Sequence, residues 1–378
     1  MILALATTLS ACANINEKEN IEKPKLEAVK EDGSDKKASE DSKQTNETAN
    51  KNEDTELEKH TEKVFEYFDT ITTFMAYTKD EEEFDHYVKV LRDELKTYHE
   101  LYNSYDAFEG VNNFKTINEN AGKKPVKVDP KIVELIDYSK KMYDLTNGKI
   151  NIAMGSLLGL WHDYREFSVE NPDEAAIPEE SELVKASQHK DIDSIEVDEE
   201  NNTVFIKDPD VRIDIGAIGK GYATKIIAER LEEEGLKNGI LSVGGDDVLI
   251  GDNPASDNSY YKIGIQNPDL EDKDNPYSSV ISIKNTSVVT SGDYQRFFMV
   301  DGKRYHHIID PETMYPSTRW RSVSVIMDDI AEADTISTYL FIIDHDEGVE
   351  FAKKVGAEVM WIDEDYKSYT TEGWPEVN

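Results

Sequence analysis

The chain has 378 residues, of which 79 are acidic and 42 are lysine or arginine, so its formal net charge at pH 7 is −37. This length suffices for one large domain or two small ones, and the acidity argues against nucleic acid or an anionic membrane surface as an electrostatic partner. Any anionic ligand would need a local cation or a metal. Cys12 is the single cysteine, which excludes an intrachain disulfide bond.

The first twelve residues, MILALATTLSAC, place an apolar run directly before Cys12. Residues 9–12 resemble the lipobox of bacterial lipoproteins, in which cleavage precedes a cysteine whose thiol receives diacylglycerol. We therefore expect residues 1–12 to be a lipoprotein signal and Cys12 to be lipidated. The alternative is the ordinary start of a folded domain with a buried thiol. No Lys or Arg precedes the apolar run, which is untypical of a signal peptide.

Residues 13–63 are rich in Lys, Glu, Asp, Asn, Ser and Thr, and no aromatic residue precedes Phe65. This composition buries too little apolar surface to offset the entropy of ordering, so it predicts a disordered tether. A single charged helix is the alternative, which Pro24 and Gly33 disfavour. Anchor and tether together would hold the folded part, residues 64–378, at the extracytoplasmic face of the cell membrane.

The first half of the folded part mixes helices with short strands. Its aromatic and β-branched start predicts a strand, apolar residues at helical spacing predict a helix after it, and the Asp129-Pro130 cap predicts a second helix ending near Gly148. Three further runs read as strands. In chain order these elements are the strand 64–78, the helix 84–102, the helix from 130, and the strands 192–197, 203–207 and 211–215.

The second half is rich in strands. A helix over 219–234 is followed by six strand-like segments and by a final helix beginning around Ala331, and Asp301-Gly302 is typical of a hairpin turn. The six segments are 239–245, 261–266, 279–285, 287–292, 296–300 and 321–327. This distribution favours an α+β fold over a doubly wound sheet.

Three patches carry candidate chemistry. Residues 212–231 place glycines and Lys220 between a strand and a helix, where free N–H groups suit a phosphate. The glycines of SVGGD, residues 242–246, suit a tight turn between strands, and for this segment taken alone the structural role is the favoured interpretation. Asp334 and Thr338 share one helix face beside Ser337, and such oxygen atoms suit Mg²⁺ or Ca²⁺. As isolated residues they would more often be a capping or solvated set.

Together these patches resemble the ApbE family of FAD:protein FMN transferases. The resemblance rests on DIGAIGKGYA, SVGGD, TSGDYQRFF, DGKRYHHIIDPETMYP and SVSVIMDDIAEADTIST, in that order, and upstream on FDTITTFMAY, YNSYDAFEGVNNFKTIN and TNGKINIAMGSLLGLW. It covers the chain from about Phe65 to its end. It implies an α+β fold, a single module of two intertwined subdomains with FAD between them.

The resemblance also implies an activity. Family members use Mg²⁺, split FAD at its pyrophosphate, release AMP, and attach FMN through a phosphoester to a Thr or Ser of a partner flavoprotein. With an anchor outside the membrane, that partner would be an extracytoplasmic flavoprotein. Two rivals stay open: a pyrophosphatase that hydrolyses FAD to FMN and AMP, and a lipid-anchored protein that binds a flavin or another solute without catalysis.

The site residues that the resemblance implies fall into three groups. His307 would be the catalytic base, whereas His306 would face the other side of a strand and serve packing or the surface. The residues that would contact FAD are Phe68, Tyr105, Lys149, Ile150, Asn151, Asp214, Lys220 and Ile309. The residues that would hold Mg²⁺ are Ala217, through its carbonyl, Asp334, Ser337 and Thr338.

Four positions depart from the family pattern. Met314 replaces a usual Gly, which would alter the turn after Asp310-Pro311. Ser337 stands where some members have Asp, and Lys220 where others have Glu. The segment KIN, residues 149–151, replaces a commoner tripeptide, so that contact would run through the backbone.

Overall fold

The computed structural model describes residues 57–377, so the predictions for Cys12 and for residues 13–56 lie outside the described part. The centre of this part is an eight-stranded sheet in which every pairing is antiparallel, in the order β1-β2-β6-β7-β10-β13-β14-β15. Its strands are β1 Glu58–Val64, β2 Thr72–Thr78, β6 Gly239–Val243, β7 Asp246–Ile250, β10 Ser287–Gly292, β13 Ser322–Met327, β14 Glu358–Ile362 and β15 Ser368–Thr370.

Both faces of the central strands are covered, because neighbouring residues of one strand enter different cores. Phe74 packs into the larger core on the helical side, whereas Met75 packs on the opposite side. Trp361 and Met360 divide in the same way. Strands that are buried on both faces have nearly continuous apolar sequences, and all six residues of β13 are buried.

Four helices lie on the side of the larger core, and a hairpin covers the other side. The helices are α1 Glu81–Leu101, α6 Gly219–Glu233, α7 Ile330–Ile342 and α8 His345–Val355, and the hairpin consists of β8 Tyr261–Gln266 and β9 Tyr277–Ile283. The amphipathic helix α1 buries Leu91 and Leu95 in the larger core, which is consistent with its apolar residues at helical spacing.

The remaining elements are inserted between those of the central sheet, so the two parts alternate along the chain. The first insertion contains α2 Phe114–Glu119, β3 Val126–Lys127, α3 Pro130–Leu145, α4 Gly155–Glu170, α5 Glu180–Ser187, β4 Ile195–Asp198 and β5 Thr203–Ile206. The second is the hairpin of β11 Phe297–Val300 and β12 Lys303–His306. The hairpin packs with α4 and α5 in a third apolar cluster that includes Trp161, Phe298 and Tyr305.

The structure confirms the α+β class and most predicted elements. Asp129 caps α3 by accepting from the Lys131 N–H, with Pro130 at the first helical position. Asp301 and Gly302 both have positive φ in the turn of the β11–β12 hairpin. The turn of SVGGD also exists, because Gly244 and Gly245 have positive φ between β6 and β7.

Several predictions are wrong in detail. Residues 58–63 belong to strand β1, which pairs with β2 along its whole length, so they are not part of a tether. Residues 65–71 form a turn rather than strand, and 211–215 contain only the isolated bridge of Arg212 to Met154. Helix α4 was not predicted, and α8 follows the helix that was expected to be the last.

None of the helices within residues 57–377 is long and apolar enough to cross a membrane.

Candidate active site

A cavity of about 680 Å³ opens between the first insertion and the segment that precedes α6. Two of the predicted FAD contacts, Tyr105 and Asp214, line it. Its other walls come from α2, the start of α4 and the chain around residue 212. Gly155 is needed here, because a Cβ at this position would lie 2.7 Å from the carbonyl carbon of Arg212.

The rim of this cavity contains an aromatic and cationic group. The ring of Tyr105 stacks on that of His162 at 4.5 Å, and Arg165 Nη2 lies 2.8 Å from His162 Nδ1. Burial, and then the charge of Arg165, lower the pKa of His162. Burial raises the pKa of Asp214, although the Gly216 N–H donates to its Oδ1 at 2.8 Å. Because Tyr105 is exposed, its ring can stack on a planar ligand.

His307 directly follows β12, and its environment keeps the imidazole neutral. Burial, and then the positive charge of Arg296, lower its pKa well below the ordinary value of 6.5. Its Nδ1 is buried and has no hydrogen-bond partner in the described part of the chain. A neutral imidazole with an unpaired nitrogen can accept a proton, which is the role predicted for this residue.

His306 has a packing role. It is buried, its Nε2 donates to the Ser317 carbonyl at 2.6 Å, and its Nδ1 accepts from the Ile308 N–H. These bonds fix one neutral tautomer, and burial lowers the pKa of His306 to about 4. The two adjacent histidines therefore differ: both ring nitrogens of His306 have partners, whereas the Nδ1 of His307 has none within residues 57–377.

Three of the predicted metal ligands, Asp334, Ser337 and Thr338, lie within two turns of α7. Asp334 Oδ2 accepts from the Gly221 N–H at 2.7 Å, which joins α7 to the start of α6. Gly221 permits this contact, because a Cβ there would lie 2.8 Å from the same oxygen. Ser337 Oγ lies 2.7 Å from Ser291 Oγ, and Thr338 Oγ1 lies 3.3 Å from it.

The chemistry of these donors fits Mg²⁺. All of them are oxygen atoms, the ligands that this cation prefers. No hydrogen bond to the Ala217 carbonyl is present within residues 57–377, although the adjacent Ile218 carbonyl accepts from Tyr222. A carbonyl without a hydrogen-bond donor is consistent with a cation ligand.

Lys220 does not stand free at the helix start. Its ammonium contacts Asp246 of β7 and lies 3.6 Å from Asp334 Oδ1. Asp247 is buried nearby, with an unpartnered Oδ1, and burial raises its pKa to about 6. In this structure Lys220 therefore neutralises carboxylates, and its contact with a phosphate stays a prediction.

The other predicted FAD contacts differ in accessibility. Ile150 lies in the larger core, and Asn151 is occupied by hydrogen bonds to the Lys190 carbonyl and the Ala153 N–H. Lys149 pairs with Glu312 at 2.7 Å. Only the backbone of residues 149–151 is thus available to FAD without rearrangement. Ile309 is buried in the third apolar cluster.

Phe68 lies in a strained turn. Phe68 and Asp69 have φ values of 58° and 49°, and the Phe68 N–H donates to His99 Nδ1 at 3.2 Å. A bulky residue with positive φ is uncommon, and such strain often occurs at functional sites. The position fits a contact residue that the surrounding fold holds in place.

Met314 keeps the backbone shape that a glycine would favour. Its φ is 65°, its N–H donates to the Asp310 carbonyl at 2.8 Å, and its carbonyl accepts from Trp161 Nε1. The departure from Gly therefore preserves a left-handed turn after Asp310-Pro311 at some cost in strain.

A separate group of possible metal ligands, His189, Asp208 and Asp210, contains none of the predicted ones. Its histidine Nδ1 lies 2.9 Å from an Asp208 oxygen, and this interaction lowers the pKa of Asp208. The group is explained as a partly exposed ion pair.

Sequence reasoning missed several residues of the site. Arg165 was missed together with α4, and Ser291 and Arg296 lay in TSGDYQRFF, a motif that received no role. Asp246 was regarded only as part of a turn. In each case the residue becomes part of the site through tertiary packing, and the only sequence signal was membership of a recognised motif.

Comparisons with known proteins agree with this geometry. Residues 68–361 match the ApbE family. A FAD:protein FMN transferase of Klebsiella pneumoniae is 31% identical over 61% of this chain and 68% of its own length, and one of Vibrio cholerae is 26% identical over 76% and 81%.

Solved structures show the same fold. The ApbE protein of Thermotoga maritima has a TM-score of 0.71 at 27% identity, covering 83% of this chain and 97% of its own. The flavin transferase ApbE of Vibrio cholerae has a TM-score of 0.69 at 22% identity, covering 84% and 98%. Since the family match spans most of the sequence and every described part of the site, this chain belongs to the ApbE family.

Proposed function

We propose that this chain is an FAD:protein FMN transferase. It cleaves FAD at the pyrophosphate, releases AMP, and attaches FMN by a phosphoester bond to a Thr or Ser hydroxyl of a partner flavoprotein. The names of its relatives support the flavin transfer. The observation that carries the chemistry is His307, a neutral histidine with an unpaired Nδ1.

The residues of the chain divide the work of phosphoryl transfer, which depends on alignment and charge stabilisation more than on covalent chemistry. His307 accepts the proton of the acceptor hydroxyl. Tyr105, exposed and stacked on His162, offers a face to a planar part of FAD. The cavity beside Asp214, of about 680 Å³, has the volume of a typical ligand pocket.

Mg²⁺ would be held by Asp334, Ser337, Thr338 and the Ala217 carbonyl, and when bound it supplies positive charge for the phosphate oxygens. A chain of net charge −37 needs such compensation to bind a pyrophosphate. The site holds three carboxylates near one another, Asp246, Asp247 and Asp334, and the Lys220 ammonium pairs with two of them, Asp246 and Asp334.

The test combines purified enzyme, FAD, Mg²⁺ and a candidate acceptor domain. We expect AMP release together with a fluorescent flavin that stays on the acceptor in a denaturing gel. An acceptor whose target Thr is replaced by Ala is the control and should remain unlabelled. Rapid AMP release that no acceptor accelerates would identify a pyrophosphatase instead, and no AMP release at all would leave a binding protein.

We also propose that the enzyme acts outside the cytoplasmic membrane, anchored by a lipid on Cys12 and separated from the bilayer by a tether. The motif at residues 9–12 and the composition of residues 13–56 support this. A Cys12→Ala variant should lose incorporation of labelled palmitate and leave the membrane fraction. Retention of the label would contradict the proposal.

A further inference from the structure

Arg296 and His307 lie beside each other at the open end of the β11–β12 hairpin. Phe297 pairs with His306 in this antiparallel hairpin, and Arg296 and His307 are the chain neighbours of that pair. The charge of Arg296 and a hydrogen bond to its backbone both act on the imidazole of His307. The neighbouring pair of Phe298 and Tyr305 shares one face of the hairpin.

Helix α4 packs against this same face. Trp161 stacks on Tyr305 at 5.9 Å, and Phe298 stacks on Tyr305 at 5.6 Å. Arg165 is four residues after Trp161 and thus lies on the same side of α4. Its charge acts on both Arg296 and His307, lowering the pKa of each. A histidine and two guanidinium groups accordingly converge where the hairpin meets α4.

Arg296 differs from the other arginines of this region in having no partner. It is exposed, and within residues 57–377 its guanidinium makes no hydrogen bond and no ion pair. Arg304, on the opposite face of the hairpin, and Arg321 are each held 3.2 Å from Asp293. Arg165 is likewise bonded to His162 and Glu166. Arg296 is thus the guanidinium of this wall that is available to a ligand.

We propose that Arg296 is a catalytic residue that binds the non-bridging oxygens of the phosphoryl group under attack, beside the base His307. This inference rests on the proposed function. A guanidinium presents a planar fork that matches phosphate oxygens, and an arginine aimed at a transferring phosphoryl group stabilises the charge of its transition state. In so acidic a chain, an unpaired arginine beside a histidine is suited to this anion.

The step balances without any further reactant. The acceptor hydroxyl oxygen bonds to the FMN phosphorus, and the bond from that phosphorus to the bridging oxygen breaks. AMP leaves with that electron pair, and the hydroxyl proton passes to His307. Arg296 exchanges no proton, and its contribution is the charge and geometry that it offers to the phosphoryl oxygens.

The experiment measures AMP release in a single turnover, with binding of FAD and of riboflavin followed by flavin fluorescence. Arg296→Gln should slow AMP release at least about 10²-fold, since arginines in this role contribute 10³–10⁵ in related chemistry. Arg296→Lys should recover part of the loss because it keeps the charge without the fork. Riboflavin, which has no phosphate, should bind all three proteins equally.

Arg304→Gln is the matched control. It removes the same charge from the opposite face of the same hairpin, and it should stay within about threefold of wild type, with thermal melting confirming the fold of each variant. An Arg296→Gln rate within threefold of wild type would overturn the proposal. So would an equal loss of riboflavin binding, which would make Arg296 a support of the pocket. If wild type itself released no AMP, the proposed function would fail instead.

A pH profile separates a local charge effect from a structural one. The charged or titratable groups that act on His307 are Arg296, Arg165 of α4 and His306 of β12, and all three lower its pKa. Removing Arg296 should therefore raise the pKa of His307 and move the acid limb of kcat/KM to higher pH. A limb that stays in place while the rate falls would contradict the placement of Arg296 beside His307.

Discussion

Two walls of the site differ in how their polar groups are satisfied. The hairpin wall, formed by His307, Arg296 and Arg165, is cationic and contains an unpaired imidazole nitrogen and an unpaired guanidinium. The helix wall, formed by α7 and the start of α6, is acidic and internally bonded. There, Asp334 binds both the Gly221 N–H and the Lys220 ammonium.

This difference indicates two ways of preparing a site for FAD. Groups that the fold leaves unpaired have no partner to lose when the substrate arrives, so the hairpin wall is preorganised. Groups that already have partners must exchange them when a cation binds. One carboxylate with neutral oxygens is a weak site for free Mg²⁺, which keeps its waters and shares phosphate oxygens. We therefore expect metal and FAD to bind together.

The largest expected effect comes from removing the charge of Asp334 in the helix wall. Asp334→Asn keeps an oxygen that can accept from the Gly221 N–H, so the contact between α6 and α7 should survive. It removes the only formal charge among the proposed metal ligands. AMP release should be abolished at ordinary Mg²⁺ concentrations and should return, in part, only at much higher ones. The measurement is AMP release against Mg²⁺ concentration.

Asp328→Asn is the matched control for this experiment. Asp328 is exposed just before α7, so its change removes the same charge from the same region without touching the proposed ligands. It should follow the wild-type curve. If Asp334→Asn followed that curve as well, Asp334 would be a structural link between two helices, and the metal site would be wrong.

The next effect concerns the hairpin wall. His307→Ala should lower flavin transfer about 10²-fold, the usual scale for the loss of a general base. FAD binding should persist, because the Nδ1 of the imidazole has no hydrogen-bond partner in the described part of the chain whose loss would disturb the cavity. Transfer is read as covalent flavin fluorescence and FAD binding as quenching of the free flavin. Unchanged turnover would show that the base lies elsewhere.

His306→Ala tests whether His306 has a structural role and not a catalytic one. His306 is buried and bonded to Ser317, so its loss should reduce the free energy of unfolding, by roughly 2 kcal/mol, more than it reduces the rate. A loss of transfer equal to that of His307→Ala, with unchanged stability, would exchange the roles of the two histidines.

The sequence predicted elements wherever a local pattern determined them. The cap at Asp129, the turn at Asp301-Gly302 and the apolar strand β13 depend on neighbouring residues alone. Helix α4 was missed because it buries only Gly155, Leu157, Trp161 and Ser168, which is too short an apolar stripe to stand out. Strand β1 was missed because its charged residues form an edge strand, and most of its side chains are exposed.

Other parts of the site could not be predicted for a tertiary reason. The partners of Lys220 come from β7 and α7, more than twenty residues away in the chain. Arg296 lies near His307 because β11 pairs with β12, and Arg165 lies near both because α4 packs on this hairpin. The motifs identified which residues matter, whereas the fold determines which of them are paired.

A smaller effect concerns how much the neutral state of His306 contributes to the free energy of unfolding. The pKa of His306 falls from 6.5 to about 4 on folding, so unfolded chains bind more protons between these values. Its stabilising contribution is complete above pH 6.5 and is lost as the pH falls toward 4, an amount of about 3 kcal/mol. The measurement is urea unfolding across this range, and His306→Gln should lose less stability on acidification than wild type.

Asp247 of β7 acts with the opposite sign on stability. Burial raises its pKa to about 6, so its unfavourable charge is relieved as the pH falls. The stability of wild type therefore depends on pH through both His306 and Asp247. Only the difference in stability between wild type and His306→Gln isolates the contribution of the histidine. Parallel curves for the two proteins would show that His306 does not set the acid sensitivity of the hairpin.

The smallest expected effect comes from adding a charge to the helix wall. Ser337 is fully buried, and its Oγ lies 2.7 Å from Ser291 Oγ and 2.9 Å from the Asp334 carbonyl. Ser337→Asp buries a second carboxylate beside Asp334, which is unfavourable until a cation compensates for it. The variant should melt at a lower temperature than wild type in chelator, and Mg²⁺ with FAD should restore most of the difference.

With the metal bound, the same carboxylate becomes a ligand. The Mg²⁺ concentration for half-maximal AMP release should fall roughly tenfold, because the affinity of such sites follows the charge of their ligands. Ser337→Asn is the matched control: it has the same size without the charge, so it should share any packing defect but not the tighter metal binding. Identical Mg²⁺ curves for the Asp and Asn variants would place residue 337 outside the metal site, and its hydrogen bonds to Ser291 and Asp334 would then be purely structural.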